Sequence, residues 1–144
     1  MKNTVCTVTG AIGTVIASYF GGWDASLKAL LLFMAIDYIS GSVIAAFFKK
    51  SPKTETGGLS SKVGFVGICK KCMILCFVLI GTSLDNVIGS TYIRDGVCIA
   101  FIANELVSIT ENAGIMGIPL PRVISNAINI LKSKEEKIEN KEEK

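Results

Sequence analysis

Between Val5 and Ala113 this chain consists almost entirely of apolar runs of helical length, separated by short polar stretches. No other feature restricts the fold as strongly. An α-helix needs about 20 predominantly apolar residues to cross the hydrocarbon layer of a bilayer, and all its backbone polar groups must be bonded internally there. Half of the 144 residues are apolar, only 19% are charged, and the mean hydropathy is +0.53. Five Lys and five Glu are concentrated in Lys132–Lys144, so the remainder is more apolar still. Soluble domains average roughly 25% charged residues. A disordered chain, a disulfide-stapled secreted domain and a typical soluble enzyme are therefore excluded. The absence of His removes the commonest general base and the commonest metal ligand.

The five cysteines, Cys6, Cys69, Cys72, Cys76 and Cys98, have no disulfide-framework spacing and read as small apolar packing residues. Cys69-x-x-Cys72 has the spacing of a metal or redox pair, but it lacks a second pair and its flanks are apolar. No nucleophile–base pair, metal cluster or phosphate-binding loop stands out, so neither an enzyme nor a cofactor is expected. Gly57-Gly58 and Gly64-x-x-Gly67 lack the strand context of a nucleotide site.

The runs predict four membrane helices. The first covers about residues 5–21 and is somewhat short, with Trp23 at the interface. The second is Ala25–Phe48, stopped by Lys49-Lys50-Ser51-Pro52. The third runs from about Ser61, with Ser60 or Ser61 as N-cap, to Leu84. Residues 85–95 form a polar loop, and the fourth helix covers Gly96 to about Ala113. After Pro121, the residues Val123, Ile124, Ala127, Ile128 and Leu131 share one face, the pattern of an interfacial helix. Lys132–Lys144 is a solvated helix or a disordered tail. The expected fold is an all-α integral membrane bundle over 1–131 with a cytoplasmic tail over 132–144.

Charge asymmetry orients it. The Lys49–Lys71 stretch holds six Lys and one Glu, whereas the two opposite turns share three Asp and one Arg. The basic loop should face the cytoplasm, and with four spans both termini do too.

Polar groups inside the runs are the candidate working parts. Asp37 lies more than two turns from either end of its helix, with Ser40 and Gly41 on its face. A carboxylate at that depth costs about 2.5–3.5 kcal/mol even on the lenient insertion scale. It needs a partner, a proton or water, and Lys70 and Lys71 are nearest by depth. In the fourth helix Asn104, Glu105, Ser108, Glu111 and Asn112 form one stripe. That stripe must be hidden inside the bundle, between subunits, or along a water-filled lumen. In the first helix Gly13, Ala17 and Gly21 recur every four residues, a spacing that lets helices approach closely. It serves packing against the second helix or self-association.

Three blocks are recognisable together. Asp37-Tyr38-Ile39-Ser40-Gly41 is followed by Ser60-Ser61-x-x-Gly64-x-x-Gly67-x-x-x-Lys71. Then Ala103-Asn104-Glu105-x-x-Ser108-x-x-Glu111-Asn112 leads into Gly117-x-Pro119-x-Pro121. The chain resembles, over roughly Leu27–Leu131, the bacteriophage holins of the toxin-secretion/phage-lysis type. The resemblance implies a small protein of the bacterial cytoplasmic membrane that forms homo-oligomers. It would open timed lesions through which an endolysin, or in some clusters a toxin, crosses without required direct contact. Neither a nucleic acid nor a small-molecule substrate is implied. Such proteins are often drawn with three spans, which holds here if the Gly-rich first segment stays out of the bilayer. Two other classes share these features: an antiholin of the same fold, and a small four-helix proton-coupled transporter, which would require a carboxylate in the first helix.

Overall fold

Asp24 starts the first long helix that packs. Its backbone is extended, and its side chain accepts a hydrogen bond from Leu27 N at 2.9 Å, satisfying a backbone donor that no helical turn can reach. In a computed structural model describing residues 2–142, five α-helices follow one another: α1 (Lys2–Tyr19), α2 (Ala25–Val43), α3 (Ser61–Ile88), α4 (Ile93–Ile115) and α5 (Arg122–Glu142). A π-helical turn, Ile44–Phe48, prolongs α2 and ends at Lys49, whose left-handed backbone turns the chain into the basic loop. Residues 143 and 144, the end of the expected tail, lie outside the described residues.

The helix α4 is the hub. It packs along α2, α3 and α5, while α2 and α3 scarcely touch each other. The core between them is Leu27, Leu30 and Met34 of α2, Val78 of α3, and Cys98 and Ile102 of α4, with Leu131 of α5 against it. The outward faces of α2 and α3 remain apolar, with Leu32, Ile39, Phe65, Met73, Phe77 and Ile80 all exposed. Such continuous apolar surface is tolerable in lipid and not in water. By length and composition, Ala25–Phe48 and Ser61–Ile88 can each cross a membrane, and Cys6–Tyr19 is a shorter apolar helix.

Four expectations require correction. The helix α3 does not stop at Leu84 but continues to Ile88, because Asp85 has work inside the fold: it accepts from Ser90 Oγ and from the backbone N–H groups of Ile93 and Arg94. Its carboxylate caps the start of α4, which therefore begins at Ile93 and leaves a connection of four residues, 89–92. Of the two roles read for the small-residue face of α1, packing on α2 is not seen at Gly10 or Gly13, where nothing lies within 4 Å of a built Cβ, and α1 touches α3 more than α2. Finally, the helix after Pro121 does not end at Leu131. It continues through the charged stretch to Glu142 and lies back along α4.

Gly117 makes that reversal. Its φ of 78° is open to glycine, and the turn closes with Ile118 N on Ala113 O at 2.9 Å and Gly117 N on Gly114 O at 3.0 Å. Pro119 and Pro121 follow, exposed, and Pro121 O accepts from Ile124 N as α5 begins.

Candidate functional site

Where α2, α3 and α4 meet, one ammonium group holds two carboxylates. Lys71 Nζ lies 2.9 Å from Asp37 Oδ2 and 2.6 Å from Glu105 Oε2. Each residue comes from a different helix, so the cluster ties the three together. Asp37 Oδ1 accepts from Ser108 Oγ at 2.5 Å and from Asn112 Nδ2 at 3.3 Å, and Asn112 also donates to Ser40 Oγ at 2.8 Å. The Glu105 side chain is only 5% exposed and that of Asp37 10%. An ion pair so placed withstands desolvation only when its remaining lone pairs are bonded; here Ser108 and Asn112 serve Asp37.

Helix geometry explains the set. Glu105, Ser108 and Asn112 stand at i, i+3 and i+7 on α4, one face of a 3.6-residue helix. Asp37 and Ser40 stand at i and i+3 on α2. Gly41, one turn beyond Asp37, keeps that surface flat: a Cβ there would lie 3.8 Å from Asn112 Nδ2. Tyr38 enters between α2 and α3, with its ring against Gly67 and its hydroxyl against Gly64. The Gly64-x-x-Gly67 spacing is thus a seat for an aromatic ring.

The structure divides the expected stripe. Glu105, Ser108 and Asn112 face inward and are bonded, whereas Asn104 and Glu111 are exposed. Of the two lysines expected near Asp37, Lys71 bonds it and Lys70 is exposed beside a cleft of about 590 Å³. That cleft is bordered by Tyr38, Lys53, Ser60, Lys70, Asn104 and Glu105, so it runs from the basic loop to the buried cluster.

A second polar cluster, at the opposite end of the bundle, was not anticipated. Arg94 makes a two-pronged pair with Asp24, at 2.6 and 3.0 Å, and donates to Phe20 O at 2.7 Å and to Asp95 Oδ1 at 3.1 Å. It ties the end of α1 and the start of α2 to the start of α4. Hydrogen bonding to the Arg94 guanidinium holds the Asp24 carboxyl below the usual carboxylate range. Gly21 makes room: its φ is 80°, and a Cβ there would lie 2.8 Å from Arg94 Nε. The available signal was that Arg94 is the one Arg among three Asp in the two short turns.

Among the described residues no group of three or more His, Cys, Asp or Glu could hold a metal ion. Cys6, Cys69, Cys72 and Cys76 are free and exposed, and Cys98 is free and buried in the core.

The fold and the cluster define an all-helical protein with apolar outer faces, closed around a three-helix ion-pair centre. It belongs to the bacteriophage holin family, which it matches over residues 14–133. The match begins inside α1, so the first helix is not wholly outside the family region. Over 133 residues the chain is 38% identical to the uncharacterized protein Lmo0128 of Listeria monocytogenes, covering 92% of this chain and 89% of that one. It is 33% identical over 126 residues to an uncharacterized 14.9 kDa protein in the nagH 3' region of Clostridium perfringens, covering 86% and 89%. It is 28% identical over 127 residues to the uncharacterized protein YqxH of Bacillus subtilis, covering 88% and 85%. No solved structure matches. Family membership and the two apolar helices indicate a membrane protein, and the family is not one of enzymes.

Proposed function

We propose that this protein is a holin: it accumulates in the bacterial cytoplasmic membrane, associates with copies of itself, and opens lesions through which an endolysin or a toxin crosses. The observation that carries this reading is the family match over residues 14–133. The structure adds a physical rationale. In the single subunit Asp37, Lys71 and Glu105 are paired across α2, α3 and α4, so the closed bundle can persist in lipid while copies accumulate. The Lys-rich loop over 49–71 faces the cytoplasm, both termini lie on that side before lesions open, and no enzymatic step is involved.

Expression of the full chain alone in a bacterial host tests the reading. Growth should stop, and potassium should leave the cells once the protein has accumulated. A protein that reaches high membrane levels with no ion leakage, even after an energy poison, is an antiholin, the same fold acting as a regulator. The proton-coupled transporter is disfavoured because α1 has no acidic residue.

A further inference from the structure

We propose that the cleft between α2 and α3 binds one anionic phospholipid of the cytoplasmic leaflet, with its phosphate between Lys53 and Lys70 and an acyl chain along the apolar border. The proposal goes beyond the holin reading and needs only that α2 and α3 lie in a membrane.

The two helices scarcely touch each other, and a cleft of about 590 Å³ opens between them and α4. Cavities that hold small molecules have volumes of about 300–1,000 Å³. The charged residues on its border are Asp37, Lys53, Lys70, Lys71 and Glu105. Lys71 holds both carboxylates, whereas neither Lys53 nor Lys70 forms an ion pair among the described residues. Three cations against two carboxylates leave one positive charge over, the complement of a single phosphodiester. Ser60 and Ser61 lie on the same border. The Ser60 side chain does not cap α3, and the first backbone bond of that helix runs from Gly64 N to Ser60 O. The N–H groups of the first turn are therefore open to an acceptor.

Depth favours a lipid phosphate. The 28 residues of α3 rise about 42 Å at 1.5 Å per residue, close to the 40–45 Å of a bilayer with its headgroups. With Ser61 at the cytoplasmic headgroup edge, Lys70 is rooted about 14 Å farther in. An ammonium there turns its stem toward the headgroups or meets an anion. Basic pockets between membrane helices on the cytoplasmic side are a known seat for anionic headgroups. Ile44, Ala45, Val63, Ile68 and Ile74 border the same cleft, and Ile68 is exposed. Inorganic phosphate would meet the lysines and leave this apolar stretch uncovered. A phospholipid covers both. A zwitterionic lipid brings its own ammonium and leaves the surplus charge in place.

The test follows thermal unfolding of the purified full-length protein in a neutral detergent. Dioleoyl phosphatidylglycerol should raise the midpoint and saturate. Dioleoyl phosphatidylethanolamine at the same mole fraction, and millimolar inorganic phosphate, should leave it unchanged. In K53Q/K70Q the half-saturating phosphatidylglycerol fraction should rise tenfold or more, while the midpoint without lipid stays at the parent value, because both side chains are exposed. K49Q/K50Q removes the same charge from residues that do not border the cleft, and should stay within twofold of the parent. The proposal is overturned if phosphatidylglycerol has no effect on the parent or phosphatidylethanolamine matches it. Inorganic phosphate acting equally would mean a soluble anion. Equal losses in the two double variants would mean diffuse attraction to the loop. No lesion has to open in any of these measurements, so the holin reading stands or falls separately.

Discussion

Lys71 Nζ and Glu105 Oε2 meet at 2.6 Å across the α3–α4 contact, and the same ammonium holds Asp37 of α2 at 2.9 Å. One cation shared between two acids makes the three helices interdependent. Removing Lys71 leaves two carboxylates uncompensated at a depth where water is scarce, whereas removing either acid leaves a one-to-one pair.

Glu105→Gln retains shape and one hydrogen bond to the cluster but removes a charge. The variant should insert and associate normally, yet lyse cells at an altered time. Glu105→Leu removes one of the two carboxylates that Lys71 holds and should lower thermal stability in detergent by about 1.5–3 kcal/mol, the usual worth of a hydrogen bond to a charged group. Lysis timing at matched membrane levels, together with a melting curve, checks both. Wild-type timing in both variants would reduce Glu105 to a packing residue.

Lys71→Met should be the most damaging single change in the cluster, because two carboxylates then face each other unpaired. Breaking a buried pair this way costs about 3–5 kcal/mol. Adding Asp37→Asn and Glu105→Gln to Lys71→Met should recover much of the lost melting temperature, since no buried charge remains. Failure of the triple variant to exceed the single one contradicts the ion-pair account.

The Arg94–Asp24 clamp predicts an acid-sensitive end of the bundle. The folded-state pKa of Asp24 is depressed, so the clamp contributes fully above the unfolded carboxyl value of about 4. That contribution is lost as pH falls through the lower folded value. Asp24→Asn should therefore weaken the protein at neutral pH and flatten its stability profile at acid pH, measured by thermal unfolding in detergent. Gly21→Ala should act in the same direction without titrating, because its Cβ would displace Arg94.

The Lys-rich loop predicts orientation. On a background with native cysteines replaced, a single cysteine placed in the 52–58 loop should resist an impermeant thiol reagent applied to intact cells before lesions form. Labelling from outside would invert the topology.

Much of this was legible along the chain, for identifiable reasons. Asp37 and the α4 polar residues stood out because lipid makes deep charges conspicuous, and helical spacing placed Glu105, Ser108 and Asn112 on one side. The choice of Lys71 over Lys70 depends on the rotation of α3, which an apolar helix with a weak polar pattern does not encode. The outward position of Asn104 and Glu111 depends likewise on how α4 nests between its neighbours. Asp85 and Asn86 looked like a loop because polar residues after an apolar run usually end a span, yet Asp85 caps α4. The seat of α5 rests on Gly96, a small residue whose partner lies 42 positions away at Ile138; periodicity describes a face but not what covers it.

The central claim is tested most directly by turbidity. The chain is expressed with a murein hydrolase that lacks any export signal, with each expressed alone as a control. The account predicts growth arrest with the chain alone, no effect with the hydrolase alone, and an abrupt collapse of turbidity with both. A culture that keeps growing with both proteins present, the chain abundant in its membrane, contradicts it.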